Sequence, residues 1–164
     1  MIASAAGGAE LIHAGRVALA GGAGATKAVQ AGYSGAPHNK WGELRLLVEE
    51  LKLAGFDKFA RRKIISSFEL ETVKLRLARP DEFGLRYFDG ARAGAKGHYL
   101  FETFPASRES SAIKLEWNKM TLIKQWKLRE GAQLIEGRAS AQASWLSGGK
   151  EQKFVINLDD LVEP

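Results

Sequence analysis

Glu71-Thr72-Val73-Lys74-Leu75-Arg76-Leu77 decides how this chain is read, because Val73, Leu75 and Leu77 alternate with Thr72, Lys74 and Arg76. A period of two places the apolar side chains on one face and the polar ones on the other, which predicts a strand with one wet face. Upstream the period is different. Trp41, Leu44, Leu47, Val48, Leu51 and Ala54 fall at three- and four-residue steps, with Glu43, Glu49, Glu50 and Lys52 elsewhere, so an amphipathic helix is predicted, stopped by Gly55. The basic run Lys58, Arg61, Arg62 and Lys63 reads as a solvated helix face, or else as a dedicated binding patch, with Phe59 and Ile64 or Ile65 available to pack inward.

Downstream of Glu71, short strand candidates recur at Leu85 to Phe88, His98 to Phe101, Leu122 to Leu128, Gln133 to Ile135 and Lys153 to Leu158. A helix fits at Ser107 to Trp117. This pattern predicts an α+β fold, a small, split or curled, mainly antiparallel sheet with one or two helices, preceded by an N-terminal helical segment. The chain divides into an Ala/Gly-rich carrier remnant or linker over residues 1–38, a helical segment packing on the core over 39–70, and the main domain over 71–164.

Composition narrows the chemistry. Of 164 residues, 45% are hydrophobic and 26% charged, an ordinary globular balance that argues against a disordered or fibrous chain. No cysteine is present, which excludes disulfides, thiolate metal ligands and cysteine nucleophiles. Only His13, His38 and His98 could serve a histidine metal centre, so no metal is expected. The Ala/Gly-rich start lacks the form of a signal peptide, and Glu10, Arg16 and Lys27 interrupt it against a membrane span. A net charge of +5 suits phosphates or an acidic partner.

Three clusters carry candidate chemistry. In Asp81-Glu82-Phe83-Gly84-Leu85-Arg86-Tyr87-Phe88-Asp89-Gly90, Arg86 alternates away from Leu85 and Tyr87, either to a structural ion pair or to a bidentate grip on an anion. In Gly94-Ala95-Lys96-Gly97-His98-Tyr99-Leu100-Phe101, two glycines bracket a lysine before an aromatic strand; Tyr99 or Phe101 either stacks on a flat ring or fills the core beside a hairpin turn. The third runs from Gly137 to Gln142 and on to Gly148-Gly149-Lys150-Glu151-Gln152, where a glycine pair presents a carboxylate or an amide at the mouth of the last strand, or simply turns a hairpin.

Taken in order, the aromatic-flanked arginine, the glycine-aromatic-leucine step, a Gly-x-x-x-x-Gln turn and Gly-Gly-x-x-Gln before a final strand resemble the tuberculosis-necrotizing-toxin type of NAD glycohydrolase found at the ends of bacterial polymorphic toxins, a group sharing a reduced core with ADP-ribosyltransferases. The likeness covers Phe83 to Asn157. It implies NAD as substrate, Arg86 as phosphate anchor, Tyr99 in an aromatic wall and Gln152 as the active-site amide. Gly97, His98, Phe101 and Gln142 would complete the nucleotide pocket, and Arg86 and Gln152 would meet one NAD molecule from two ends of a cleft. It also implies a large delivery protein as fusion parent, a cognate immunity protein, and a secreted effector acting in the target-cell cytoplasm. Ser140-Ala141 and Ser147 depart from prolines common in relatives, and Ile123-Lys124-Gln125-Trp126 lacks a histidine that the necrotizing toxin carries, which does not favour a catalytic-histidine mechanism.

Glu151 separates the two adjacent chemistries. A glycohydrolase points to Gln152, whereas an ADP-ribosyltransferase would use a glutamate at the start of a late strand, and neighbours on a strand face opposite ways. Two further readings stay open: a ribonuclease toxin using His98 with Lys96, Lys124 or Arg138, and a basic binding module without catalysis.

Overall fold

A computed structural model of the chain describes residues 40–103 and 107–164; the expected carrier remnant over 1–38 lies outside the described residues. The elements run α1 (Lys40–Leu53), α2 (Lys58–Ser66), β1 (Lys74–Leu77), β2 (Phe83–Phe88), β3 (Tyr99–Phe101), α3 (Arg108–Ser111), β4 (Leu122–Leu128), β5 (Gln133–Arg138), β6 (Glu151–Val155), a 3₁₀ turn at Leu158–Asp160 and β7 (Leu161–Val162). All seven strands join one antiparallel sheet in the order β1-β5-β6-β3-β2-β4-β7. The fold is therefore α+β.

Pairing fixes the faces, because residues opposite one another in a ladder share a side of the sheet. The pairs Leu75 with Ile135, Ile135 with Phe154 and Phe154 with Tyr99 run across one side, and Leu85 with Phe101 and Phe101 with Gln152 continue it. This face carries the helices. Leu47 and Leu51 of α1, Phe56, and Ala60 and Ile64 of α2 close over Phe68, Val73, Ile135 and Phe154. Each fully buried leucine or phenylalanine there contributes about 1.5–3 kcal/mol relative to exposure. On the same face, Tyr87 and Phe101 lie under Ile113 and Met120.

The opposite face carries Leu100, Trp126, Leu128, Leu134 and Val155, closed by Ala78, Ala132 and Leu161. Beside them lies a buried charge network. Arg76 forks onto Glu82 at 2.6 and 2.8 Å and also bonds Glu136, while Lys153 Nζ reaches Glu82 at 2.6 Å. Burial alone would push the Glu82 carboxyl up, but hydrogen bonds from Arg76, Lys153 and the Arg79 backbone N–H overcome it and hold the group at about 2.

Several local expectations change. Trp41 and Phe59 were expected to pack inward, yet each is 76% exposed. The inner stripe of α1 instead includes Glu50, buried and accepting from Gln133 Nε2 at 3.1 Å, and α2 turns Ala60 and Ile64 inward, one helical turn apart. The helix expected over Ser107 to Trp117 is a single turn. Ser107 caps its start, Ala112 ends it in the left-handed region (φ 52°), and the Arg108 guanidinium folds the rest back by donating to the carbonyls of Ile113, Asn118 and Lys119. The last expected strand begins earlier, at Glu151, and gives way to the Asn157-capped 3₁₀ turn that leads into β7.

Candidate functional site

Ser67, just past the end of α2, links the candidate residues on the helix-covered face. Its carbonyl accepts from Gln152 Nε2 at 2.7 Å and from the Ser140 N–H at 2.9 Å, and its hydroxyl is hydrogen bonded to Tyr99 Oη at 3.2 Å. Gln152 is only 4% exposed, so this bond satisfies an amide that burial would otherwise penalise. It also fixes the amide orientation, with Oε1 directed away from Ser67. Burial pushes the Tyr99 phenol up to about 12, against the opposing hydrogen bond from Ser67 and the nearby positive charge of Arg86.

The aromatic residues form a continuous ladder around this link. Phe101 pairs directly with Gln152, Tyr99 pairs with Phe154 and meets it edge to face, and Tyr87 meets Phe101 in the same way. At the mouth of β3 and β6, Lys150 Nζ donates to Thr103 Oγ1 at 2.6 Å, and the Lys150 N–H donates to Ser110 O. Since α3 lies on the helix-covered side with Ala112 over Ala139 and Leu146, Lys150 stands on the same side as Gln152. In α3, Ser111 Oγ is buried with no hydrogen-bond partner among the described residues.

Arg86 is elsewhere. It alternates with Leu85 and so lies on the face of Leu100 and Lys153, opposite Gln152. It is 7% exposed, donating from Nε to Gly94 O and from Nη1 to Tyr99 O. Trp126 Nε1 holds the same loop through Ala95 O at 2.8 Å. A Cβ at Gly97 would fall on the Arg86 guanidinium, so any larger residue there would have to displace it. The structure thus brings Tyr99, Phe101 and Gln152 together and leaves Arg86 and Gly97 across the sheet from them.

His98 lies just before β3, stacked on Phe154 at 4.8 Å with Phe56 edge-on, its Nδ1 2.7 Å from Val155 O. Gln142 bonds only locally, from Nε2 to Ser140 O at 3.4 Å. Glu151 is exposed, opposite Arg138 in the ladder and turned to the other face from Gln152. Sequence reasoning missed Ser67, whose only signal was its place after a basic helix, and Lys150, read merely as part of the glycine turn. It missed also that Gly148 and Gly149 are both left-handed (φ 72° and 89°), with a Cβ at Gly148 colliding with the Ala139 carbonyl. That close approach seats the loop before Gln152 against β5.

Among the described residues no group of three or more histidines or carboxylates is placed to hold a metal, and no helix is long and apolar enough to cross a membrane. The sequence matches no family model and no curated protein. The fold is similar to that in the structure of Tse6 in complex with Tsi6, with a TM-score of 0.61 and 12% identity, covering 79% of this chain and 100% of that one.

Proposed function

We propose that this chain is a toxin domain that cleaves the nicotinamide–ribose bond of NAD, acting in the cytoplasm of a target cell. The observation that carries the reading is the Gln152–Ser67–Tyr99 link, a buried amide of fixed orientation beside two aromatic side chains, in a fold shared with Tse6. Loss of nicotinamide expels a neutral leaving group and develops positive charge on the ribose, and one water then attacks the anomeric carbon and releases a proton to give ADP-ribose, so the reaction needs positioning and electrostatic stabilisation more than acid catalysis. Gln152 Oε1 is the group assigned to the ribose, with Phe101 and Tyr99 as the apolar wall that restricts access to the attacking water. Arg86 is committed to two carbonyls on the far face, so Lys150 takes the role of meeting the pyrophosphate, and Arg86 positions the loop that precedes Tyr99. The neighbour was solved bound to Tsi6, and a protein partner that restrains this domain is part of the proposal.

The test is nicotinamide release from NAD by the purified chain, with and without added lysate. Gln152→Ala is expected to lower kcat about 100-fold, the scale for losing one group that acts on transition-state charge, with a smaller effect on KM. Glu151→Ala is expected to leave turnover within about threefold. A reversed ranking, with ribose transferred to a lysate protein, moves the reading to an ADP-ribosyltransferase. No NAD consumption by the folded chain sinks both.

A further inference from the structure

α2 buries Ala60 and Ile64, so the helical period turns Lys58, Phe59, Arg62, Lys63 and Ser66 to the outside, and all five are exposed. Residues three and four apart on a helix are neighbours, so Phe59 stands beside Arg62 and Lys63, and Lys58 beside Arg62, in one continuous strip. Arg61 is not part of it, since its Nη1 donates to Phe56 O at 2.6 Å. The strip ends against the candidate site: the Ser67 N–H donates to Lys63 O at 3.1 Å, and the Ser67 carbonyl holds Gln152.

The fold gains nothing from this arrangement. Lys58 opens the helix, where the macrodipole disfavours a cation, and no acidic residue occupies the first turn. Lys58 and Arg62 form a like-charged pair one turn apart, which weakens a helix. Elsewhere surface cations meet carboxylates, as Lys52 meets Glu49, Lys74 meets Glu136, Lys127 meets Asp81 and Arg138 meets Glu69. Among the described residues no carboxylate pairs with Lys58, Arg62 or Lys63. Residues 1–39 contain a single carboxylate, Glu10, so they do not hold the complement either. Phe59, 76% exposed, is an aromatic anchor without a socket.

We propose that the outer strip of α2, with Phe59 as anchor and Lys58, Arg62 and Lys63 around it, docks an acidic protein whose contact surface offers an apolar socket rimmed by carboxylates. Aromatic and arginine side chains are the usual centres of binding energy, and opposite charge supplies orientation and fast association. The strip is a poor track for a nucleic acid. Its nine residues span about 14 Å, room for about four phosphates of one strand, and Asp57 before it and Glu69 and Glu71 after it repel a longer polyanion. The proposal deepens the partner half of the function above and does not depend on NAD cleavage. It places the restraining partner one helical turn from the Gln152 link.

The probe is a capped synthetic peptide, (Glu-Leu-Glu-Ala)₄, with (Lys-Leu-Lys-Ala)₄ as control, titrated into the full chain and followed by amide chemical shifts. The acidic peptide is expected to shift residues 58–66, with binding that weakens as salt rises, while the basic peptide does nothing. Phe59→Ala is expected to weaken binding about tenfold, and Arg62→Glu combined with Lys63→Glu by at least as much. Lys58→Glu separates binding from folding: it is expected to weaken binding severalfold while raising the unfolding midpoint, because it places an acid at the helix start one turn before Arg62. A lowered midpoint would give the strip a structural role and overturn the proposal. So would equal binding of both peptides, shifts confined to other surfaces, no binding at millimolar acidic peptide, or tighter binding to (dT)₁₂ or to phosphatidylglycerol vesicles. Nicotinamide release by the same variants without peptide is expected to be unchanged and reports separately on the enzymatic reading.

Discussion

Glu82→Gln removes one negative charge from the centre of the Arg76–Glu82–Lys153 network while keeping the side-chain volume. In the folded protein Glu82 is held at about 2, against an ordinary value of 4.5. Because the folded value is depressed, the group stabilises the fold above pH 4.5, and that stability is lost as pH falls toward about 2. At about 1.4 kcal/mol per pH unit the gap corresponds to about 3 kcal/mol at pH 7. Mutation adds the cost of leaving Arg76 and Lys153, with side chains 8% and 3% exposed, short of a counter-charge. A loss of about 3–5 kcal/mol is therefore expected at pH 7. Urea unfolding of both forms, repeated at steps from pH 7 to pH 2.5, is the assay. The difference should be large and flat down to pH 5 and then shrink as the native carboxylate approaches protonation. A difference below about 1 kcal/mol at pH 7, or one independent of pH, would show that the network contributes no net electrostatic stability.

Gly148→Ala should cost about 3 kcal/mol in the same assay, from left-handed strain plus collision with Ala139 O, whereas Gly149→Ala, left-handed but in open space, should cost about 1 kcal/mol. Arg86→Ala should speed amide exchange over residues 94–97 at least about tenfold, because the bonds that tie Gly94 O and Tyr99 O to one guanidinium are lost; unchanged exchange would show that Arg86 does not hold the loop. Tyr99, raised to about 12, stabilises fully below its ordinary value of 10 and progressively less as pH rises between the two. Tyr99→Phe should therefore flatten the alkaline loss of stability between pH 10 and 12, read by unfolding at stepped pH.

The alternation at Val73, Leu75 and Leu77 announced β1, and the longer strands near Leu85, Leu122 and Gln133 were legible for the same reason. β7, with two residues, has no period to detect. The single turn of α3 escaped because its end is set by Ala112 in a left-handed conformation and by Arg108 reaching three distant carbonyls, neither of which leaves a trace in hydrophobic spacing. Within β6, opposite orientation of Glu151 and Gln152 follows from parity alone. Whether Arg86 shares a side with Gln152 does not, because that depends on the register between β2, β3 and β6, which only the Leu85–Phe101–Gln152 row reveals. Trp41 and Phe59 misled for a related reason: hydrophobicity records what could be buried, and the sheet surface available to α1 and α2 was already filled by Leu47, Leu51, Ala60 and Ile64.

The place of β6 in the strand order bears on how the chain acquires its structure during synthesis. Glu151–Val155 is the next-to-last strand to be made, yet it lies between β5 and β3, and it supplies partners to both. Until those residues emerge, β1 and β5 share no ladder with β2, β3 and β4, and Ile135, Tyr99 and Leu100 lack the strand that buries them. Contacts so distant in sequence carry a closure cost that is met only at the end, so folding is expected to be late and concerted rather than progressive. A nascent chain halted before Glu151 should stay protease-sensitive throughout, and one extended past Val162 should become resistant in a single step.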